Sequence, residues 1–89
     1  MIVSRHPVFK NHFKKRIAYD AKLVTKTKNR IQMFIDNQRH PLLRNHALKG
    51  TQEGLRAFSV TGDIRVIYRT VDENTIELLD IGTHNQVYR

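Results

Sequence analysis

An alternation of apolar and polar residues from Leu55 to Tyr68 is the strongest pattern in the chain, and it predicts a β-hairpin. Thr61-Gly62-Asp63 interrupts the alternation with residues that favour a tight turn, and the second strand continues to about Val71. Successive side chains along a strand point to opposite faces of the sheet. The second strand therefore has Ile64, Val66 and Tyr68 on one face, and Arg65, Ile67 and Arg69 on the other. The first face is expected to be core, and the second to be a working face that carries charge.

Two amphipathic helices are predicted ahead of the hairpin. The first runs from Pro7 to about Ile17, because proline suits a helix start and Val8, Phe9, Phe13 and Ile17 recur at helical spacing. The second follows Asp20, which suits an N-cap, and ends near Asn37; its apolar stripe is Val24, Ile31, Phe34 and Ile35. We expect the helices to pair as a hairpin that covers one face of the sheet.

Short segments supply the remaining strands. Ile2-Val3-Ser4 is a candidate first strand, residues 45–50 are a short extended segment, and residues 75–81 are the last strand. Residues 51–54 and 72–74 are turns, and residues 84–89 are a polar tail. This order predicts an α+β fold, with the helical hairpin on one face of a mainly antiparallel sheet of four to five strands. The whole chain, residues 1–89, is long enough for one such domain.

The composition excludes several classes of protein. The chain has no cysteine, which excludes disulfides and thiolate chemistry and fits a reducing cytoplasm. No apolar run approaches the ~18 residues of a membrane span, and the first residues lack the apolar core of a signal peptide. We therefore expect a cytoplasmic protein with no membrane partner.

Positive charge is concentrated in the first half of the chain. Residues 1–49 carry twelve lysines and arginines against two acids, a net charge of +10, whereas residues 50–89 carry four arginines against six acids, a net charge of −2. A basic half of this kind favours a polyanionic partner, most often nucleic acid. The alternative is a helical surface whose lysines interact only with solvent.

Candidate catalytic residues belong to the sheet face that the helices leave uncovered: His46, Arg65, His84, Asp63 and Tyr88. These residue types suit RNA cleavage without a metal, because histidines exchange protons near neutral pH and an arginine can hold the phosphate. The other histidines, His6, His12 and His40, are expected to be surface or capping residues. The five histidines lack the spacing of a metal motif, so no cofactor is expected. Residue types alone are weak support for this chemistry, because any small basic domain contains histidines and arginines.

Four motifs resemble the RelE/YoeB/YafQ family of toxins from bacterial type II toxin–antitoxin systems. They are His46-Ala47-Leu48-Lys49-Gly50, Gly54-Leu55-Arg56, Asp63-Ile64-Arg65-Val66-Ile67-Tyr68 and Gly82-Thr83-His84, in that order. The resemblance extends over the whole chain and implies a RelE-like fold and an mRNA endoribonuclease (mRNA interferase), which in many relatives acts on the ribosome. It also implies a cognate antitoxin with an acidic segment that wraps the toxin, and operator DNA bound only through that complex.

The resemblance implies a role for each matched residue. His46 would accept the proton of the 2′-hydroxyl, Arg65 would hold the scissile phosphate, and His84 would protonate the leaving oxygen. The products would be a 2′,3′-cyclic phosphate and a 5′-hydroxyl. Asp63 matches a functional aspartate of YafQ-like toxins, and Tyr88 is expected to stack on a base. Three further residues are expected to bind RNA: Lys49, Arg56 and Arg69.

Two positions depart from the family pattern. Ala57 and Ser59 stand where YafQ-like toxins have an active-site aspartate and histidine. Two alternatives therefore stay open. One is a ParE-like toxin, which shares the fold but poisons DNA gyrase. The other is a non-catalytic RNA-binding protein or a degenerate toxin.

Overall fold

The computed structural model describes residues 1–88, which form five strands, three α-helices and two single turns of 3₁₀ helix. In chain order these are β1 (Ile2–Arg5), α1 (Pro7–Arg16), α2 (Ala21–Asp36), a 3₁₀ turn (Pro41–Leu43), β2 (His46–Ala47), a 3₁₀ turn (Gly50–Gln52), β3 (Arg56–Ser59), β4 (Ile64–Asp72), β5 (Thr75–Thr83) and α3 (His84–Val87). The predicted α+β architecture is confirmed. None of the helices in residues 1–88 is long and apolar enough to cross a membrane.

The strands form one mixed sheet in the order β1-β5-β4-β3-β2. β1 runs parallel to β5, and every other neighbouring pair is antiparallel. β2 is so short that it pairs with β3 only at His46↔Ala57 and Ala47↔Arg56. The edge of β3 beyond Ala57 therefore has no strand beside it among the described residues, and Ser59 lies at this open edge.

The main core lies between the helices and one face of the sheet. Phe9, Ile17 and Phe34 from the helices are buried against sheet residues that include Phe58 and Tyr68. The Phe34 ring centroid is 4.9 Å from that of Phe58 and 4.8 Å from that of Tyr68. Ile64, Val66 and Tyr68 all face this core, as the alternation predicts. The prediction for Val8 is wrong: its side chain is 43% exposed, because it lies on the solvent side of α1.

Side-chain caps begin the helices where the sequence predicts. The Nδ1 atom of His6 accepts a hydrogen bond from the Val8 amide at 3.1 Å, and Asp20 accepts bonds from the first turn of α2. His40 caps the turn Pro41–Leu43 in the same way. The prediction for His12 is wrong, because its Nδ1 lies 2.6 Å from a carboxylate oxygen of Asp80 on β5. His12 therefore joins a helix to the sheet.

The outer face of the sheet differs from the prediction in being partly covered. Residues 84–87 of the predicted polar tail form α3, which folds back against this face; Arg89 lies outside the described residues. Val87 of α3 is buried with Ala57 and Ile67, and the partly buried residues Leu48, Leu55, Leu79 and Tyr88 complete the group. We call these seven residues the outer cluster. Its presence means that the candidate site has a small hydrophobic base of its own.

Candidate functional site

The side chain of Arg65 is held in a fixed position on the outer face. In the sheet register Arg65 lies between Ser59 of β3 and Gly82 of β5. Its Nη1 donates hydrogen bonds to the Ser59 hydroxyl at 2.7 Å and to the Thr61 carbonyl at 3.2 Å. A guanidinium has five N–H donors, so these contacts orient the group and leave other donors for a ligand. The sequence did not indicate this positioning role of Ser59, which is only 6% exposed.

Tyr88 lies beside Arg65, and His84 packs against Tyr88. Their rings pack edge to face with centroids 4.5 Å apart, and the His84 side chain is exposed. Burial raises the pKa of the Tyr88 hydroxyl above its ordinary value of 10.0, and Arg65 opposes part of that shift through its positive charge and through a side-chain hydrogen bond. This contact with Arg65 falls outside strict hydrogen-bond distances and angles, and no other partner within residues 1–88 meets them. Arg65, Tyr88 and His84 therefore form one group, which combines a fixed cation, an aromatic ring and an exposed imidazole.

A capping box holds α3 in place. The Thr83 hydroxyl accepts a hydrogen bond from the Gln86 amide at 3.3 Å, and the Gln86 side-chain oxygen accepts one from the Thr83 amide at 2.8 Å. A Cβ on Gly82 would lie 2.6 Å from the Gln86 side-chain oxygen and 2.7 Å from an Arg16 nitrogen. Glycine at position 82 thus lets α3 approach β5 closely. A Thr-x-x-Gln pattern can be recognised in a sequence, and here it was missed as a helix signal.

A polar network joins α1 to the strand that leads into α3. The Asp80 carboxylate contacts His12 at 2.6 Å and Arg16 at 3.4 Å, and Arg16 also donates to the Ile81 carbonyl at 3.0 Å. Leu79 is an extra residue in β5, since Ile67 pairs with Asp80 while Tyr68 pairs with Leu78. This bulge lies directly before Asp80, the residue that contacts α1. The network was not predicted.

His46 lies on the outer face but at a distance from Arg65. It pairs with Ala57, which is two residues along β3 from Ser59, the partner of Arg65. With strands ~4.8 Å apart and ~3.3 Å per residue, the backbones of His46 and Arg65 are roughly 12 Å apart. The exposed His46 ring is fixed by a 2.8 Å hydrogen bond between its Nδ1 and the carbonyl of Arg44.

The remaining predicted site residues are dispersed. Asp63 is exposed in the β3–β4 turn, where only its backbone amide has a recorded partner, the Thr61 hydroxyl. Lys49 is exposed before the second 3₁₀ turn, and Arg69 forms a 2.8 Å ion pair with Glu77. Arg56 shares the helix-covered side with Tyr68, whose hydroxyl lies 3.2 Å from its Nε. Arg56 therefore lies on the opposite side of the sheet from Arg65.

No group of three or more His, Asp or Glu side chains in residues 1–88 is arranged to hold a metal ion. The candidate site carries reactive side chains of its own. It offers two exposed imidazoles, one fixed guanidinium and one aromatic ring, which are groups that can move protons, bind a phosphate and stack on a base.

Comparison with known proteins identifies the family. The family described as the bacterial toxin of type II toxin–antitoxin system, YafQ, matches residues 2–89. The structure of YafQ from E. coli superimposes with a TM-score of 0.78 at 17% identity, covering 98% of this chain and 97% of the other. YafQ in the E. coli DinJ–YafQ complex gives a TM-score of 0.79 at 19% identity, with the same coverage. A YoeB/ParE toxin from Agrobacterium tumefaciens gives 0.78 at 20% identity, covering 94% and 99% of the two chains. No curated protein matches the chain.

The fold is therefore that of the RelE-like toxins. The chain belongs to the YafQ family of toxins from bacterial type II toxin–antitoxin systems.

Proposed function

We propose that this toxin is an endoribonuclease that cleaves mRNA by attack of the 2′-hydroxyl on the adjacent phosphate. The observation that carries the proposal is the fixed guanidinium of Arg65, which the Ser59 hydroxyl and the Thr61 carbonyl hold beside Tyr88 and His84. Cleavage passes through a phosphorane that bears extra negative charge. A cation that is already in position stabilises this charge without reorganisation during the reaction.

His46 is the proposed general base. Its Nδ1 contacts a carbonyl oxygen, which can only accept a hydrogen bond, so Nδ1 must carry the proton in the neutral ring. The other nitrogen, Nε2, then has its lone pair free, and the ring is exposed to solvent. Nε2 can therefore take the proton from the 2′-hydroxyl as the 2′-oxygen forms its bond to phosphorus.

His84 is the proposed general acid. As the bond between phosphorus and the 5′-oxygen breaks, a protonated His84 gives its proton to that oxygen. The products are a 2′,3′-cyclic phosphate and a 5′-hydroxyl, and one proton has moved from His84 to product while His46 has gained one. In the sheet register Arg65 lies diagonally between the two histidines, which supports their assignment to opposite sides of the phosphate. Tyr88 supplies an aromatic ring on which a neighbouring base stacks.

The proposed partners follow from the family and the charge. A cognate antitoxin binds and silences the toxin, as DinJ accompanies YafQ in the E. coli complex, and an acidic wrapping segment suits the net charge of +8. The substrate is mRNA on the ribosome in the cytoplasm, where helix lysines contact ribosomal RNA. Lys49, Arg56 and Arg69 add contacts to RNA, and operator DNA is bound only through the antitoxin complex.

The test is a primer-extension map of cellular mRNA after brief expression of the toxin, with the product ends analysed chemically. Wild type should produce new 5′ ends with a 5′-hydroxyl, and Arg65→Ala and His84→Ala should not. The rate with isolated ribosomes should pass through a maximum as the pH is varied, because one histidine must be neutral and the other protonated. Growth arrest with DNA damage and intact mRNA would instead indicate a gyrase-directed toxin. RNA binding without cleavage would indicate a non-catalytic protein.

A further inference from the structure

A cavity of about 280 Å³ lies next to Arg65, between α2 and the end of the hairpin. Four cationic side chains from three parts of the chain line it: Lys26 and Arg30 of α2, Arg44 of the loop before β2, and Arg65 of β4. None of the described residues that line it is acidic. The nearest acid in sequence is Asp63, which is exposed in the turn beside it. The cavity therefore has the charge expected of an anion site.

Two of the four cations, Arg30 and Arg65, are held by hydrogen bonds to neutral groups of the protein. Arg30 donates from Nη1 to the Leu42 carbonyl at 3.2 Å, and Arg65 is held by Ser59 and Thr61. Arg44 has a left-handed backbone (φ 49°) where the 3₁₀ turn ends. Within residues 1–88, none of the four forms an ion pair with a carboxylate. Like charges repel when gathered in this way, and a bound anion would relieve that repulsion.

The cavity also continues beyond a single anion site. Arg44 lines a second basic cavity, of about 490 Å³, together with Arg39 and Arg56. Arg44 lines both cavities, which together extend from Arg65 to Arg56. Their cations therefore follow the edge of β3 away from Arg65, the residue proposed to hold the scissile phosphate. A chain of phosphates matches this arrangement better than an isolated small anion, because a nucleic acid strand carries one charge at every nucleotide.

We infer that this cavity binds the backbone phosphate next to the scissile one, so that the RNA strand runs from Arg65 past Lys26, Arg30 and Arg44. The inference rests on the proposed ribonuclease function and deepens it. Arg65 lines the cavity and also belongs to the catalytic group, so it can bridge two consecutive phosphates. The site would set the direction and register of the strand on the toxin, and it would act on binding more than on the chemical step.

Lys26→Ala gives the cleanest test, because Lys26 is exposed and its side chain makes no hydrogen bond or ion pair within residues 1–88. By contrast, Arg30 donates a hydrogen bond to the Leu42 carbonyl, and the Arg44 carbonyl holds the His46 ring. The probe is a short RNA with 2′-O-methyl at the scissile position, which cannot be cleaved. Each of its two flanking phosphates is replaced in turn by a neutral methylphosphonate. Lys28→Ala, on the other side of α2, measures the general loss of one helix charge.

We expect one flanking methylphosphonate to weaken binding to wild type and to Lys28→Ala by about fivefold. It should weaken binding to Lys26→Ala by clearly less, because one of the four cations that face this phosphate is already missing there. Lys26→Ala should also reduce the slope of log affinity against log salt by about 0.7, the value for one lost contact to a single strand. Equal losses in all three proteins at both flanking positions, or no measurable RNA binding by wild type at low salt, would overturn the inference.

Cleavage of the unmodified RNA on ribosomes is measured in parallel, which separates the two proposals. Selective coupling between Lys26 and one phosphate in a protein that never cleaves RNA would support the cavity and reject the ribonuclease. Normal cleavage without such coupling would support the ribonuclease and reject the cavity. If both hold, Lys26→Ala should raise KM and leave kcat unchanged, because it removes binding that is equal in the ground and transition states.

Discussion

The two faces of the sheet differ in the size of the hydrophobic cluster that each one carries. The helix-covered face has a core of large rings, in which Phe34 is within 5 Å of both Phe58 and Tyr68 by centroid distance. The outer face has only the outer cluster, whose fully buried members are Ala57, Ile67 and Val87. Adjacent residues of β3 show the contrast, since Phe58 faces the helices and Ala57 faces α3.

This difference explains how a small domain keeps an exposed set of polar residues in order. The large core supplies enough buried apolar area to fold the chain. The outer cluster adds little area, but it fixes α3, and α3 carries His84 and Tyr88 against Arg65. Changes to the first face should therefore unfold the protein, whereas changes to the second should impair activity at a smaller cost in stability.

The largest loss of stability should follow Phe58→Ala, which removes a ring packed against Phe34 and Tyr68. We expect the free energy of unfolding to fall by about 3–5 kcal/mol in urea titrations. Val71→Ala, at a position that is 48% exposed on β4, should change it by less than about 0.5 kcal/mol. If Phe58→Ala were as mild as Val71→Ala, the large core would not be the source of stability.

Arg65→Ala should show the opposite pattern. We expect the cleavage rate at saturating ribosomes to fall by about 10²–10³, the usual effect of losing one fixed donor to a charged transition state. Stability should fall by only about 1 kcal/mol, because the buried Ser59 hydroxyl and the Thr61 carbonyl lose their donor.

Arg69→Ala is the matched control for Arg65→Ala, since it removes the same charge from the same strand. Arg69 is bound to Glu77 at the exposed end of β4. Its loss should weaken RNA binding without lowering kcat. A similar fall in kcat for both variants would mean that Arg65 acts through general charge and not as a fixed clamp.

Gly82→Ala should test whether α3 must approach β5 closely. The added Cβ would lie 3.1 Å from the Gln86 Cβ, besides the close contacts with polar atoms of Gln86 and Arg16. We expect a cost of about 1–3 kcal/mol and a loss of activity, because α3 must move with His84 and Tyr88. Gly62→Ala is the control for stability, as a Cβ there meets nothing within 4 Å among the described residues. Unchanged NMR signals of His84 and Tyr88 in Gly82→Ala would contradict this account of α3.

The sequence predicted the helix-covered face better than the outer one. The buried face of a strand or helix can be predicted when several apolar residues recur along it, at every second position in a strand or every 3.6 positions in a helix. β4 and α2 are long enough to show this recurrence. α3 has one buried residue, Val87, so no period could be read from it. Its capping box could have been recognised, and Arg56 could have been assigned to the face of Phe58 by simple alternation.

Other parts of the site had no local signal. The bulge at Leu79 shifts the register of β5 just before Asp80, and Asp80 contacts His12 and Arg16, residues 64 or more positions away in the chain. The hold of Ser59 on Arg65 depends on the pairing of β3 with β4. The motifs around His46, Arg65 and His84 indicated the family, but not the distance between His46 and the other two.

Of the substitutions proposed on the two faces, Tyr88→Phe should cause the smallest change in stability and in cleavage rate. The Tyr88 hydroxyl lacks a partner at full hydrogen-bond geometry among residues 1–88, and phenylalanine keeps the ring, so stability should change by less than about 1 kcal/mol. If Tyr88 acts by stacking on a base, Tyr88→Phe should cleave RNA at nearly the wild-type rate, and Tyr88→Ala should not. A rate as low in Tyr88→Phe as in Tyr88→Ala would show that the hydroxyl takes part.

The pH dependence of stability tests whether the Tyr88 hydroxyl is buried in solution. The pKa of Tyr88 is raised in the folded state, so the folded protein holds the hydroxyl proton more tightly than the unfolded chain does. The stability that this proton binding contributes is fully present below the unfolded pKa of about 10. Above that pH the unfolded chain ionises first, so the free energy of unfolding falls until the pH passes the folded pKa. Tyr88→Phe should remove this part of the decline in urea titrations at alkaline pH. Tyr19→Phe, at a position that is 77% exposed, should leave the decline as in wild type. Equal slopes for wild type and Tyr88→Phe would mean that the hydroxyl is solvated in solution, and that α3 covers the outer face less closely than the packing of Val87 implies.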